Sequence, residues 1–333
     1  MEMDPGTFDE DKLRAYVASG VNRVSLGVQS FDEELLVGAG RAHTVADALG
    51  AMDLLRRAGV ENWSLDLISG LPHQTMETWE STLRQAVRCD PTHVSVYDLE
   101  VAAGTAFGKW YTPGAQPLPD SDLAADFYRL ASSELTAAGY EHYEISNYAR
   151  PGCRSRHNSC YWSMDPYLAV GLGASSFLQN TRFARPHTFA AYETWVDDLE
   201  RQGLEQTTTI GLAETEGVDS TAASDPSESS EDGILDEMCE AVMVALRTAD
   251  GLDLTAFAEL YGQRSANAIC ESLAGAMEAK LVTVAHAPSD KQPEHGESDP
   301  SRRQQLHLND PEGFLVSNTI ISTVFAALER AKN

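Results

Sequence analysis

The sequence predicts an α/β fold in which parallel strands alternate with helices, and three observations carry that prediction. Strand-length apolar runs recur with helical stretches between them at a period of roughly thirty to forty residues, the order expected of βα units. The central run, SLDLIS at residues 64–69, is apolar except for one carboxylate, Asp66. A run of this kind reads as a strand buried on both faces of a parallel sheet. Gly20, Gly59, the Gly-Leu-Pro turn at 70–72 and Pro91 punctuate the runs, where helices stop or strands turn. A parallel βα barrel and a doubly wound sheet both satisfy this order.

In chain order, residues 9–19 read as a helix stopped at Gly20, and 23–28, RVSLGV, as a strand that ends at Gln29. A short helix at 32–37 precedes a longer one, capped by Thr44, that runs to residue 58. The strand carrying Asp66 spans 62–68, a helix spans 75–89, and HVSVY at 93–97 is the next strand. The pattern then changes. PGAQPLPDSD is a loop, 123–138 a helix ended by Gly139, 142–145 a short strand, RHNSCYW at 156–162 a loop and 189–199 a helix. The lone Gly-x-Gly in AVGLGASS, 169–176, lacks the surroundings of a dinucleotide fingerprint and reads as close backbone packing. Residues 206–232 are acidic, polar and poor in large apolar side chains, the composition of a disordered insert. Helices follow at 235–248, 254–261 and 266–280. Strands at 281–285 and 305–309 then flank a second polar insert, and a final helix starts near Gly313. Helices followed by a hairpin suggest a winged-helix-like domain.

Composition excludes some functions. The net charge is -27, from 51 acidic against 24 basic residues, which opposes a nucleic-acid backbone or an anionic membrane as main partner. No Lys or Arg lies between Arg201 and Arg247, so part of the acidity belongs to the insert. No apolar run is long enough to span a bilayer. The first residues, MEMDPGTFDEDK, have neither the apolar core of a signal peptide nor the basic character of a transit peptide. Five cysteines with no CxxC pair indicate a reducing compartment rather than a disulfide framework. Cys153 and Cys160 flank His157, but their spacing fits no standard zinc pattern and they read as ordinary thiols.

A carboxylate in an apolar strand requires a partner. Asp66 is therefore either a ligand-binding residue or one satisfied by a neighbouring backbone group or arginine. In a barrel, Glu2, Gln29, Asp66 and the stretch 98–100 all fall at carboxyl ends of strands, where such folds place their chemistry.

The segments EMDPGT, GVNRVSLGVQSF, GRAH, LDLISGLPHQT, HVSVYDLE, GTAF, YEISNYAR and HNSCYW occur in that order, with LRTADGLDL and PEGFLVSN near the C-terminus. As a set they resemble the heme-chaperone (HemW) branch of the radical S-adenosylmethionine proteins, a sister of oxygen-independent coproporphyrinogen III oxidase. The wording is nearest to plant and algal members, and the likeness covers all but the two polar inserts. It implies an α/β fold. Residues 1–112 form a partial (β/α) radical-SAM barrel that lacks its first strands. Residues 113–204 complete it and carry HNxxYW, 205–233 are the acidic insert, and 234–333 form a small α+β, winged-helix-like, HemN-like domain interrupted at 286–304. The resemblance places S-adenosylmethionine on Glu2, Gln29, Arg41 and Asp66, a set able to accept from its ammonium and hydroxyls and, through Arg41, to pair with its carboxylate. HNxxYW, here His157, Asn158, Tyr161 and Trp162, marks the chaperone branch. His157 is the candidate heme ligand, with a structural loop histidine as the alternative.

The family's CxxxCxxC triplet, which holds a 4Fe–4S cluster, occurs nowhere in the sequence. Without it no radical is generated on adenosylmethionine, and neither a catalytic residue nor a metal ligand is assigned. The chain reads as starting where the family's third strand ends, a truncation of a longer protein that leaves the edge of the 23–28 strand bare. The cluster and any targeting segment then belong to the full-length form only. The resemblance implies a chaperone that binds heme and delivers it to apo-haemoproteins in the cytoplasm, mitochondrion or plastid. The alternatives are the oxidase itself and a cluster-less interaction protein.

Overall fold

The computed structural model describes residues 1–178, 181–202, 231–286 and 303–332. Its centre is one open sheet. Strands β1 (Glu2–Met3), β2 (Val24–Gln29), β3 (Trp63–Ser69) and β4 (His93–Asp98) run parallel. Two further strands, β5 (Glu141–Glu144) and β6 (Asn147–Ala149), extend the sheet in the order β1-β2-β3-β4-β6-β5. The parallel progression ends at β4, because β6 pairs with it antiparallel. The sequence reading missed β6.

Each parallel strand shows two-residue alternation. Val24, Leu26 and Val28 of β2, Trp63, Leu65 and Leu67 of β3, and Val94 and Val96 of β4 point to one side. There they meet Leu13, Met52, Leu55, Trp79, Leu83 and Phe127 from the helices Glu10–Ala18, Val45–Arg57, Met76–Cys89 and Ser121–Ala137. The opposite face carries Ser25, Gly27, Ser64, Asp66, His93 and Ser95, aligned in register across the strands. The strand is largely buried on both faces, as expected, with Ser64 fully buried, but the face that carries Asp66 is polar rather than apolar. The helices begin where short polar side chains satisfy free N–H groups. Asp9 accepts from Lys12 N, and Thr44 and Thr75 form capping boxes with Asp47 and Thr78. The 23–28 strand does not form the sheet edge, since β1 pairs with it through Glu2–Ser25 and Met3–Leu26.

Four further features differ from expectation. RHNSCYW is a helix, Arg156–Trp162, capped by Ser155. A hairpin, β7 (Ser175–Leu178) with β8 (Thr181–Ala184), follows it. The third C-terminal helix is two, Gln263–Ser272 and Ala274–Glu278. The C-terminal sheet has three strands, because β9 (Leu252–Asp253) joins the hairpin of β10 (Val282–His286) and β11 (Gln304–Leu308). Most of both inserts lies outside the described residues, but residues 231–233 belong to the helix Glu231–Leu246, and His286 and Gln304 belong to strands.

The C-terminal unit has its own core, built on Val242, Leu246, Phe257, Ile269, Leu306 and Val324. It is clamped to the sheet at β5. Ile145 N donates to Arg247 O, and Ala249 N to Tyr143 O at 2.9 Å. His142 stacks on Tyr148 at 4.0 Å, meets Phe314 edge-on, and contacts Asp310 through Nδ1 at 2.6 Å. Arg129 grips Glu312 with two hydrogen bonds.

Trp79 is fully buried and donates from Nε1 to Phe127 O at 2.9 Å, tying the Met76–Cys89 helix to the next. Trp79→Ala is expected to cost about 3–5 kcal/mol in chemical denaturation, and Trp79→Phe clearly less, because most of the volume is kept and one hydrogen bond is lost.

Candidate functional site

The polar face of the sheet is the floor of a cavity of about 630 Å³. Glu2, Ser25, Asp66, His93, Ser95 and Tyr97 line it from the strands. Arg154, Arg156, His157 and Asn158 line it from the HNSCYW helix and the segment before it. Three of the five sequence-predicted residues, Glu2, Asp66 and His157, thus share one cavity.

Asp66 sits between three serines. Ser25 Oγ donates to its two oxygens at 3.1 and 2.9 Å, and Ser64 Oγ lies 3.4 Å from Oδ1. Ser95 is its registered neighbour on β4. Burial raises the Asp66 pKa above the ordinary carboxylate range. The hydroxyls of Ser95, Ser25 and Ser64 pull it back, and the charge of Glu2 pushes it further up. Of the two readings of Asp66, satisfaction by a neighbouring backbone group or an arginine does not describe it: its partners are hydroxyls, and no cation answers its charge among the described contacts, which leaves the ligand-binding reading.

Gln29 and Arg41 lie at the carboxyl end of β2. A bulge between Gly27 and Gln29 puts Gln29 at φ 70°, uncommon for a residue with a side chain. A Cβ on Gly27 would fall 2.9 Å from Asp4 Oδ1, 3.1 Å from Gln29 Nε2 and 3.4 Å from Arg41 Nη2. Only glycine allows these three groups to converge over the strand. Arg41 pairs with Asp4 and donates to Gly27 O at 3.2 Å, and its Nε is buried with no partner. A strained amide, a glycine cradle and an orphaned guanidinium N–H beside a floor of carboxylates fit a ligand bearing both a cation and hydrogen-bonding oxygens.

His157 is exposed on its helix. Tyr161 Oη lies 2.8 Å from His157 Nε2, one helical turn away, with the rings edge-on at 5.1 Å. Tyr161 in turn packs on Tyr167 at 4.8 Å. Beyond the helix, Leu168, Val170 and Leu172 are exposed. The glycines between them differ in role: a Cβ on Gly173 would meet His187 Nδ1 at 2.7 Å, whereas Gly171 has open space. Close backbone packing therefore holds at Gly173 alone. Cys153 and Cys160 are free thiols, and among the described residues no group of three His, Cys, Asp or Glu side chains is arranged to hold a metal ion.

The sequence reading missed Asp4, His93 and the serines. The serines had a signal, since Ser25, Ser64 and Ser95 each interrupt an apolar run, and the register sets Ser25 beside Ser64 and Ser95 beside Asp66.

An open, largely parallel sheet with helices on one face and carboxylates on the other is the scaffold of a cofactor-binding βα protein. Residues 1–86 match the Radical SAM superfamily. The heme chaperone HemW of Synechocystis is 36% identical over 99% of this chain and 74% of its own length. The Bacillus subtilis heme chaperone HemW is 32% identical over 79% of the chain and 63% of its own. A mitochondrial radical S-adenosyl methionine domain-containing protein 1 of Bos taurus is 36% identical over 65% of the chain, which spans about half of that relative. The chain belongs to the HemW family of radical S-adenosylmethionine proteins. Its fold matches that of coproporphyrinogen III oxidase HemN from Escherichia coli, with a TM-score of 0.66 over 97% of this chain and 68% of that one, at 19% identity. No helix among the described residues is long and apolar enough to cross a membrane.

Because its folded pKa is raised, Asp66 favours folding below the ordinary carboxylate range and loses that contribution as pH rises through the folded pKa. Asp66→Asn is therefore expected to stabilise the ligand-free chain by about 1 kcal/mol at neutral pH, with the gain vanishing in acid. Thermal unfolding at pH 4 and pH 7.5 checks this. Equal stability at both would contradict it.

Proposed function

We propose that this chain is a heme chaperone that holds heme at the His157 helix and passes it to apo-haemoproteins. The supporting observation is the 36% identity to a named heme chaperone over 99% of the chain. In this reading His157 ligates the iron, and the exposed Leu168, Val170 and Leu172 offer an apolar surface to one edge of the macrocycle. The Tyr161 hydroxyl occupies His157 Nε2 and must swing aside for that nitrogen to ligate. Tyr161 thereby restrains the ligand until heme arrives.

Glu2, Gln29, Arg41 and Asp66 are assigned to S-adenosylmethionine, with Glu2 and Asp66 accepting from its cationic and hydroxyl groups. Bound in a radical enzyme, that cofactor supplies a carbon radical. The cysteines of this chain do not fit a 4Fe–4S cluster. The five free cysteines support a reducing compartment, cytoplasmic or organellar.

Hemin titration followed by absorbance tests the reading. His157→Ala is expected to weaken binding roughly tenfold or more and to move the Soret band. Tyr161→Phe, which frees Nε2, is expected to tighten binding severalfold. Binding left unchanged by His157→Ala would remove His157 as the ligand.

A further inference from the structure

One unbroken series of hydrogen bonds joins the floor of the cavity to the helix that carries His157. Ser64 Oγ lies 3.4 Å from Asp66 Oδ1 and 2.8 Å from His93 Nδ1. His93 Nε2 lies 2.8 Å from Tyr143 Oη. Tyr143 Oη accepts from Ser155 N at 3.3 Å, and Ser155 caps the helix by accepting from Asn158 N. His93, Ser64 and Tyr143 are buried.

Each hydroxyl in the series has one proton, and neutral imidazole has one donor and one acceptor nitrogen. A carboxylate at Asp66 only accepts, so Ser64 donates to it. Ser64 then accepts from His93 Nδ1–H, Tyr143 donates to His93 Nε2, and Ser155 N–H donates to Tyr143. Every donor points toward Asp66. Were Asp66 to become a donor, Ser64 would turn to His93 Nδ1, and the imidazole proton would move to Nε2. Two donors would then face Tyr143 Oη. Burial, with a smaller push from Arg23, lowers the His93 pKa to about 3, which keeps the ring neutral and the series directional.

We propose that His93 and Tyr143 are positioning residues that transmit the state of Asp66 to the capped end of the His157 helix. A cation bound at Asp66 holds it as the carboxylate and so fixes the helix start. Removing that charge reverses the series and loosens the helix. The two sites of the proposed function would in this way be coupled, and coupling of binding free energies is reciprocal. This rests on the proposed binding role of Asp66, but its test needs neither heme nor adenosylmethionine.

The test is nitrogen-15 spectroscopy of histidine-labelled chain, with the His93 signals identified by their loss in His93→Gln, alongside amide exchange across the Arg156–Trp162 helix. The native protein is expected to hold His93 with the proton on Nδ1. Asp66→Asn, whose amide donates, is expected to shift the proton to Nε2 and to speed exchange in the helix by about 3- to 10-fold. Tyr143→Phe is expected to speed exchange by a similar factor, and the double variant no further. A packing role alone would leave the tautomer untouched. Should Asp66→Asn fail to fold, Ser64→Ala cuts the same series one link on, and faster exchange is again expected. An Nε2 proton in the native protein, or a tautomer and exchange unmoved by these variants, overturns the proposal. A failure of the heme reading would show only in the hemin titration.

Discussion

The structure depends on the desolvation of one carboxylate. Asp66 stands in the middle of the central strand, on a sheet whose other face is apolar and sealed by helices. Taking a charge out of water is costly unless other groups replace the lost hydration. Here the replacements are hydroxyls from three successive strands: Ser25 and Ser64 lie level with each other, and Ser95 lies level with Asp66 itself. A slip of one residue would turn every serine to the helices and every leucine to the cavity. The same alternation thus builds the core and places the carboxylate. The hydroxyls lower the cost of burial without cancelling it, and a site with an unspent cost of this kind is poised for a cationic ligand.

The C-terminal unit extends that constraint. The backbone of Tyr143 accepts from Ala249, and its side chain meets both His93 and Ser155. One residue of β5 therefore ties the sheet, the His157 helix and the C-terminal unit together. Arg154, next to the helix, adds a fork onto Asp250 at 2.9 Å. The stack of His142 between Tyr148 and Phe314 buries the same seam. The C-terminal unit thus braces the wall of the cavity from outside, since the lining residues run from Met1 to Asn158 and none belongs to that unit.

Much of the fold was legible because local chemistry agrees with tertiary placement. Asp9, Thr44 and Thr75 announce helix starts, and the period-two runs announce β2, β3 and β4. The misreadings have physical causes. SLDLIS reads as a plain apolar run because serine is small and breaks such a run weakly, yet Ser64 and Asp66 share one side. Asn147–Ala149 is too short to show a period. HNSCYW carries aromatics and no strong helix former, and the Ser155 cap, the packing of Tyr161 on Tyr167 and contact with the Glu231–Leu246 helix support it as a helix. At the site, strand position singled out Glu2, Gln29 and Asp66 and motif resemblance added Arg41, but the contacts of Asp4 with Arg41 and of Ser64 with His93 join residues tens of positions apart. Only the register brings such pairs together.

Charge placement shows why the global balance misleads about this cavity. A chain with 51 acidic and 24 basic residues should repel a porphyrin that bears two carboxylates. Yet screening at physiological salt confines such fields to about 8 Å, so the rim matters more than the total. The cavity is lined by Arg23, Arg154 and Arg156 and by Glu2 and Asp66. Glu2 is exposed and Asp66 half-buried, while Arg23 Nε is buried without a partner. Locally three arginines face two carboxylates, so the cavity does not share the acid excess of the chain, and the global balance does not set the charge of what it can hold.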